Sequence, residues 1–301
     1  MMRKISPLLV LCLIIFSSAP SLAGNSNYGA IPVPQLLARS GSSAGHWIQL
    51  FNGENLAGWT AKVKGYRAGE NFGNTFRVEA GLLTVSYDHY TDFQQRFGHL
   101  FYDTPYSHYI LSLDYRFTGK QLTDGPGWAY ENSGAMIHSQ SALSMGLDQD
   151  FPISVEVQFL GGSREAKRPT ANVCTPGTHI EMKGVLTTDH CIESHSKTYS
   201  GNQWVHIDIV VLGDQFIEHR VNGQRVMHYA RPQVGGGVVS GFLNAEKQDG
   251  RALNTGYISL QSESHPIQFR KVELLNLTGC GDPSADNYRN YLARHDAAVC
   301  E

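Results

Sequence analysis

Beyond its first two dozen residues the chain holds no apolar run long enough to cross a bilayer, so no integral membrane span is expected. It has no excess of positive charge either. Lys and Arg number 24 against 27 Asp and Glu, a net charge of -3, which argues against nucleic acid or an anionic membrane as partner and for a neutral small molecule. No CxxC or HExxH spacing occurs, so the common zinc signatures are missing. No segment shows a convincing amphipathic pattern over three helical turns. What the chain does have is 31 Gly, 10% aromatic residues and many short runs of alternating polarity, the make-up of a β-rich extracellular domain.

The N-terminus reads as an export signal over residues 1–23. Arg3 and Lys4 precede the apolar core "LLVLCLIIF", and Ser21 and Ala23 suit cleavage before Gly24. Residues 24–45, rich in Ser, Gly, Ala and Pro, read as a flexible leader. The expected location is therefore periplasmic or extracellular. Of five cysteines, Cys12 falls within the signal, leaving Cys174, Cys191, Cys280 and Cys300. In an oxidising compartment an even number reads as two disulfides. Three pairings are open, and the wide gap between the two close pairs favours Cys174 with Cys191 and Cys280 with Cys300. Each such loop would stabilise the fold by about 3 kcal/mol. A zinc site is the rival for the first pair, because His179, His190 and His195 surround it.

Period-two runs fill residues 46–278, a span suited to one large β-sandwich. "YILSLDYRF" puts Tyr109, Leu111, Leu113, Tyr115 and Phe117 on one face, and "VHIDIVV" does the same for Val205, Ile207, Ile209 and Val211. Asn222 and Gly223 mark a tight hairpin turn. Further strands are expected at residues 76–78, 82–86, 135–138, 257–261 and 269–275. This pattern predicts an all-β fold of two packed antiparallel sheets. Residues 279–301 change character and read as a small disulfide-closed C-terminal tail whose acids do not have EF-hand spacing.

One run carries more chemistry than the others. In "SVEVQFLGG", Val155, Val157 and Phe159 point one way while Glu156 and Gln158 point the other, so a carboxylate and an amide share the second face of a rigid strand. A sheet with one wet face would explain the same alternation. Trp128, in the Gly-rich loop "DGPGWAYENSG", is the best aromatic candidate for a sugar groove, whereas Trp59 and Trp204 suit core packing.

Five motifs in order, "WIQLFNGENLAGW", "ENSGAMIH", "SVEVQFLGG", "NQWVHIDIVV" with "VNG", and "GYISLQSESHPIQFRKVELLNL", resemble the 3-keto-disaccharide hydrolase domain family. The resemblance spans nearly all of residues 47–277. It implies a concanavalin A-like jelly-roll, in agreement with the strand pattern, and a secreted enzyme acting on glycosides already oxidised at C3. There the ketone acidifies the C2 proton, a base removes it, the enolate expels the glycosidic oxygen from C1, and water adds across the double bond. The route needs a base near C2, a group to stabilise the enolate oxygen, and an acid at the departing oxygen.

On this reading Glu156, Glu263 and His138 are the catalytic candidates. Glu156 matches the family's EVQ glutamate. Glu263 stands where many relatives carry His and others Glu. His138 follows the NSG strand where many relatives have Arg, so it either takes over as base or merely lines the groove. The substrate-binding candidates are Gln158, Asn132, Trp128, Gln261, Arg270, Lys197 and Tyr199. Arg270 matches the family's FR motif but has the parity of Val272 and Leu274, so a bulge or a buried ion pair is required. Asn132 and Ser133 belong to an NSG turn that backbone need at Gly134 equally explains. A divalent metal is a candidate cofactor, although no ligand spacing demands one. Two other classes stay open: a non-catalytic glycan-binding jelly-roll, and a conventional two-carboxylate glycosidase. The oligomeric state is not legible.

Overall fold

The computed structural model describes residues 46–163 and 167–301. The expected signal and leader lie outside these residues. The described chain is all-β, with only four three-residue 3-10 turns as helix. Two large antiparallel sheets form the body. The larger has ten strands; its central members are Phe216–Val221, Val205–Leu212, His108–Phe117 and Ile267–Asn276. The smaller runs in the order Cys191–Ile192, Asn172–Cys174, Val155–Leu160, Asn132–Ser139, Gly256–Ser262, Gly98–Tyr106, Trp59–Val63. No helix among the described residues is long and apolar enough to cross a membrane.

Alternation explains how the sheets meet. The inward rows Tyr109, Leu111, Leu113, Tyr115, Phe117 and Val205, Ile207, Ile209, Val211 from the larger sheet are all buried. They meet Ala135, Ile137, Val155, Val157, Phe159, Ile258 and Leu260 from the smaller. Tyr115 stacks on Phe159 across the interface at 4.6 Å, and its hydroxyl shares a 2.6 Å hydrogen bond with Thr170. A buried tyrosine thus keeps a polar partner while its ring packs. Asn222 and Gly223 take φ of 48° and 78°, the left-handed pair that a two-residue hairpin needs.

Both disulfides join the expected partners, Cys174 with Cys191 and Cys280 with Cys300. The first links directly opposed residues of neighbouring strands. The second closes the C-terminal segment, whose Tyr291 and Leu292 pack on the outer face of the larger sheet against Ile110, Val210, Leu275 and Leu277. Trp59 lies in the core, its indole N–H donating to Leu50 O at 2.7 Å. Trp204 does not join the core. It lies on the outer side of the larger sheet between the guanidinium groups of Arg116 and Arg270, 4.6 and 4.2 Å from its ring.

Because Leu113 is wholly buried between the sheets, Leu113→Ala is expected to destabilise the fold by about 2–5 kcal/mol through lost contacts and a residual cavity. Urea denaturation checks this; a change within error would mean that the sheets do not pack through this row.

Candidate active site

The smaller sheet buries its second face under loops, and that face is polar. Lys62 pairs with His99, and His99 with Gln261. Gln261 lies one residue beyond the Leu260–Ala135 pair, so the row continues at Gly134, which opposes Gln158, itself opposite Asn172. The alternation that sends Val155 and Val157 inward sends Glu156 and Gln158 to this row and the next. Glu263 follows the end of the Gly256–Ser262 strand. Above this floor lies a cleft of about 400 Å³, lined by Glu156, Glu263, Gln158 and Asn132 on the polar side. Trp128, Phe151, Pro176, Val238, His190 and the Cys174–Cys191 bridge complete the wall.

Gly134 makes room for Glu156. A Cβ there would come within 2.6 Å of Glu156 Oε1 and 2.8 Å of its Cγ. The glycine of the NSG motif is therefore set by the close approach of a side chain rather than by a turn, since it sits inside the Asn132–Ser139 strand. Trp128 is 53% exposed at the mouth. Its ring lies nearly parallel to Phe97, which in turn packs on Phe151. Asn132 Nδ2 and Arg168 Nη2 donate to Trp128 O at 3.3 and 3.4 Å and fix the loop that carries it.

The floor is electrostatically tense. Glu156 and Glu263 are almost wholly buried, and burial pushes both carboxyls above their ordinary range. For Glu263 the nearby Glu156 adds a second upward push. Two carboxylates in one dry site cannot both ionise easily, so the pair holds a proton at neutral pH. One oxygen of each, Glu156 Oε1 and Glu263 Oε2, has no hydrogen-bond partner in the protein. Neither have both ring nitrogens of His99, both side-chain polar atoms of Gln261, and Asn132 Oδ1. Burial, helped by the Lys62 cation, pulls His99 down to about 3, so its imidazole is neutral. Burial lowers Lys62 to about 8 despite Asp148 and Glu70; its ammonium donates to Val63 O and Leu147 O at 3.0 and 2.9 Å. So many unpaired groups on one buried face are costly without a ligand and fit one that is rich in hydroxyl and carbonyl oxygens.

The structure thus brings Glu156, Glu263, Gln158, Asn132 and Trp128 to the cleft, with Gln261 wholly buried in the sheet row beneath them. Gln158 accepts from Asn172 Nδ2 at 3.0 Å, which holds its amide in place. Four other sequence candidates lie elsewhere. His138 is carried away by a bulge: between the Ser259–Met136 and Tyr257–Ser139 pairs the Asn132–Ser139 strand has one extra residue, and His138 takes φ 48°. Its buried Nε2–H donates to Gly213 O at 3.0 Å, and burial lowers it to about 4. Arg270 has the bulge its parity required, with Lys271 at φ 53°. That bulge turns it onto the outer face of the larger sheet, where it donates to Asp114 at 3.0 Å. The ion pair is exposed rather than buried. Tyr199 is part of the core, its hydroxyl accepting from Asn222 Nδ2 at 2.9 Å. Lys197 lies 5.1 Å above the Tyr199 ring and lines a separate cleft with Glu193 and Ser196. Ser133 donates to Gln261 O at 2.9 Å and is occupied in the sheet.

Sequence reasoning missed His99, Lys62 and Phe151. "FGHLFY" does alternate, with Leu100 inward and His99 and Phe101 outward, but apolar residues on both faces hide the period. As for a metal, among the described residues the group of three possible ligands lying within 4.8 Å of one another is Cys174, His190 and Cys191. The disulfide occupies both sulfurs. Glu156, Glu263 and His99 form no such group, so the cleft's acids do not make a metal centre as arranged. His179 and His195 are outside the group as well.

The family model for the 3-keto-alpha-glucoside-1,2-lyase-like domain matches residues 46–275. The chain belongs to that family. Membership supports a carbohydrate-active jelly-roll protein, and the matched span contains every residue of the cleft. No curated protein matches the chain. Solved structures resemble it distantly. Two are candidate glycosyl hydrolases from Parabacteroides distasonis ATCC 8503. One is 16% identical, covering 79% of this chain and 96% of its own, with a TM-score of 0.47. The other is also 16% identical, at 77% and 99% coverage and a TM-score of 0.46. A carbohydrate binding module, CBM66 from Bacillus subtilis, is 9% identical, with 77% and 96% coverage and a TM-score of 0.38. At these levels the likeness carries no argument about chemistry.

Two outcomes are expected from the geometry of the floor. Gly134→Ala should displace Glu156 and cost activity out of proportion to stability, measured by turnover beside thermal melts; full activity would show that the 2.6 Å approach is not needed. The acid pair should also leave a mark on stability. A carboxyl raised on folding stabilises fully below its unfolded value, and that contribution is lost as pH rises through the folded value. Stability should therefore fall from about pH 5 towards about pH 8, and Glu156→Gln should flatten the fall in urea melts. An unchanged slope would remove the buried pair as its cause.

Proposed function

We propose that the protein is an exported enzyme that cleaves 3-keto-glycosides, taking a proton from C2, eliminating the C1 substituent and hydrating the product. The observation that carries this reading is the pair Glu156 and Glu263, buried in one cleft, both raised and each with an unpartnered oxygen. A carboxylate whose proton affinity lies near neutral is well matched to remove a carbon acid's proton, and its protonated neighbour to give one up. Glu156 is assigned as the base at C2. The C2–H electrons form the enolate with the C3 carbonyl; as the enolate re-forms the ketone, the C1–O bond breaks and Glu263 delivers a proton to the leaving oxygen. Water then adds its oxygen to C1 and a proton to C2, so the net change is hydrolysis.

Neutral His99 and the Gln261 amide lie on the same floor with free donors, which suits them to hold the enolate oxygen without a permanent charge. Gln158 and Asn132 suit sugar hydroxyls, and Trp128 offers its exposed face to the apolar side of a ring. The two disulfides accord with an oxidising, exported setting.

The test is to offer the purified protein a 3-keto-glucoside and the unoxidised glucoside in deuterated water. Cleavage of the keto compound alone, with deuterium appearing at C2, is expected. Turnover of the unoxidised sugar would indicate a conventional glycosidase, and binding without turnover a glycan-binding module. Glu156→Gln should lower kcat/KM by about 10²–10⁴-fold with folding intact; a fully active variant would remove Glu156 from the chemistry.

A further inference from the structure

The cleft wall beside Glu156 contains a group of side chains that the proposed reaction does not use. Cys174, His190 and Cys191 place their ligand atoms within 4.8 Å of one another, and all three line the cleft. His190 is held by its backbone, its carbonyl accepting from Thr175 N at 2.8 Å and from the Thr175 hydroxyl at 3.2 Å. Its Nδ1 is buried and has no partner. Cys174 lies wholly buried and opposite Glu156 across the strand pair, while Cys191 is exposed.

We infer that this wall is a redox-gated site for a thiophilic cation such as Zn²⁺, closed while Cys174 and Cys191 are bonded and opened when a dithiol reductant cleaves the bridge. A reductant thiolate attacks the exposed Cys191 sulfur, and Cys174 leaves as a thiolate. The reductant's second thiol then resolves the mixed disulfide, so the two cysteines gain two electrons and two protons and the reductant becomes a disulfide. On metal binding those two protons are released. Two thiolates and a neutral imidazole are the donor set that selects zinc. With three protein ligands, a tetrahedral ion keeps one position open. Because all three side chains line the cleft and Cys174 pairs with Glu156, an ion held by them would sit on the wall that shapes the substrate site and obstruct it in the reduced, metal-loaded protein.

The experiment titrates Co²⁺ as a spectroscopic stand-in for Zn²⁺ into oxidised and phosphine-reduced protein, following the thiolate-to-cobalt charge-transfer band, with circular dichroism to confirm that the reduced chain stays folded. A Cys280→Ser/Cys300→Ser variant removes the tail's thiols from the signal. One equivalent bound by the reduced, folded protein and none by the oxidised form is expected. Zn²⁺ should displace the cobalt. His190→Ala, which leaves the disulfide untouched, should weaken the reduced protein's affinity by at least about tenfold, the loss that even an outer-sphere partner incurs. Should the tail variant not fold, the comparison of reduced wild type with His190→Ala carries the test alone. Absence of the band, unfolding on reduction, or equal affinity without His190 would overturn the inference. None of these readouts depends on sugar turnover, so their failure and that of the proposed reaction are distinguishable.

Discussion

Two carboxyl groups sharing a dry cleft impose the constraint around which this molecule is arranged. An ionised carboxylate away from water is costly unless paired, and a cleft that holds two of them must retain a proton. Everything near Glu156 and Glu263 serves to keep them dry and close. The inward half of the smaller sheet fixes the strand that bears Glu156, Gly134 leaves the gap into which it leans, and the Trp128–Phe97–Phe151 aromatic stack roofs the face. The cost is met by the body of the fold, where two broad apolar rows interlock.

The same constraint accounts for the company the acids keep. His99 and Gln261 complete a floor whose donors and acceptors are left open, and such a floor persists only because the sheet beneath it is rigid. Lys62, at the end of the row, has its ammonium tied to two carbonyls, and its charge acts on its neighbour His99, which it helps to keep neutral, rather than on the acids. A site organised in this way suits an oxygen-rich ligand, whose groups would exchange water for fixed dipoles.

Much of this was legible in the chain. Period-two alternation located the core rows from Tyr109 to Phe117 and from Val205 to Val211, because each strand has one apolar and one polar face. The same rule oriented Glu156 and Gln158. Cysteine spacing anticipated both bridges. The failures share a physical cause: parity holds only while the ladder is regular. One extra residue beside His138 reversed its expected side, while Arg270 has the bulge its parity required but sits on a strand of the larger sheet, away from the cleft. Tyr199 read as a substrate-binding candidate because its surroundings are polar in sequence, but its ring packs in the core and its hydroxyl meets Asn222. His99 escaped notice since its strand is covered on both faces, and a polar residue among apolar neighbours gives no periodic contrast.

The bulge in the Asn132–Ser139 strand has a wider meaning. By admitting a single additional residue, one continuous segment addresses two different clients: its leading half furnishes Asn132 and Gly134 to the cleft side, and its trailing half lodges His138 against the Gly213 corner of the opposite layer. Substitutions at the two ends are thereby uncoupled, so descent with modification could retune the cleft-facing end while the seam that joins the layers stayed as it was.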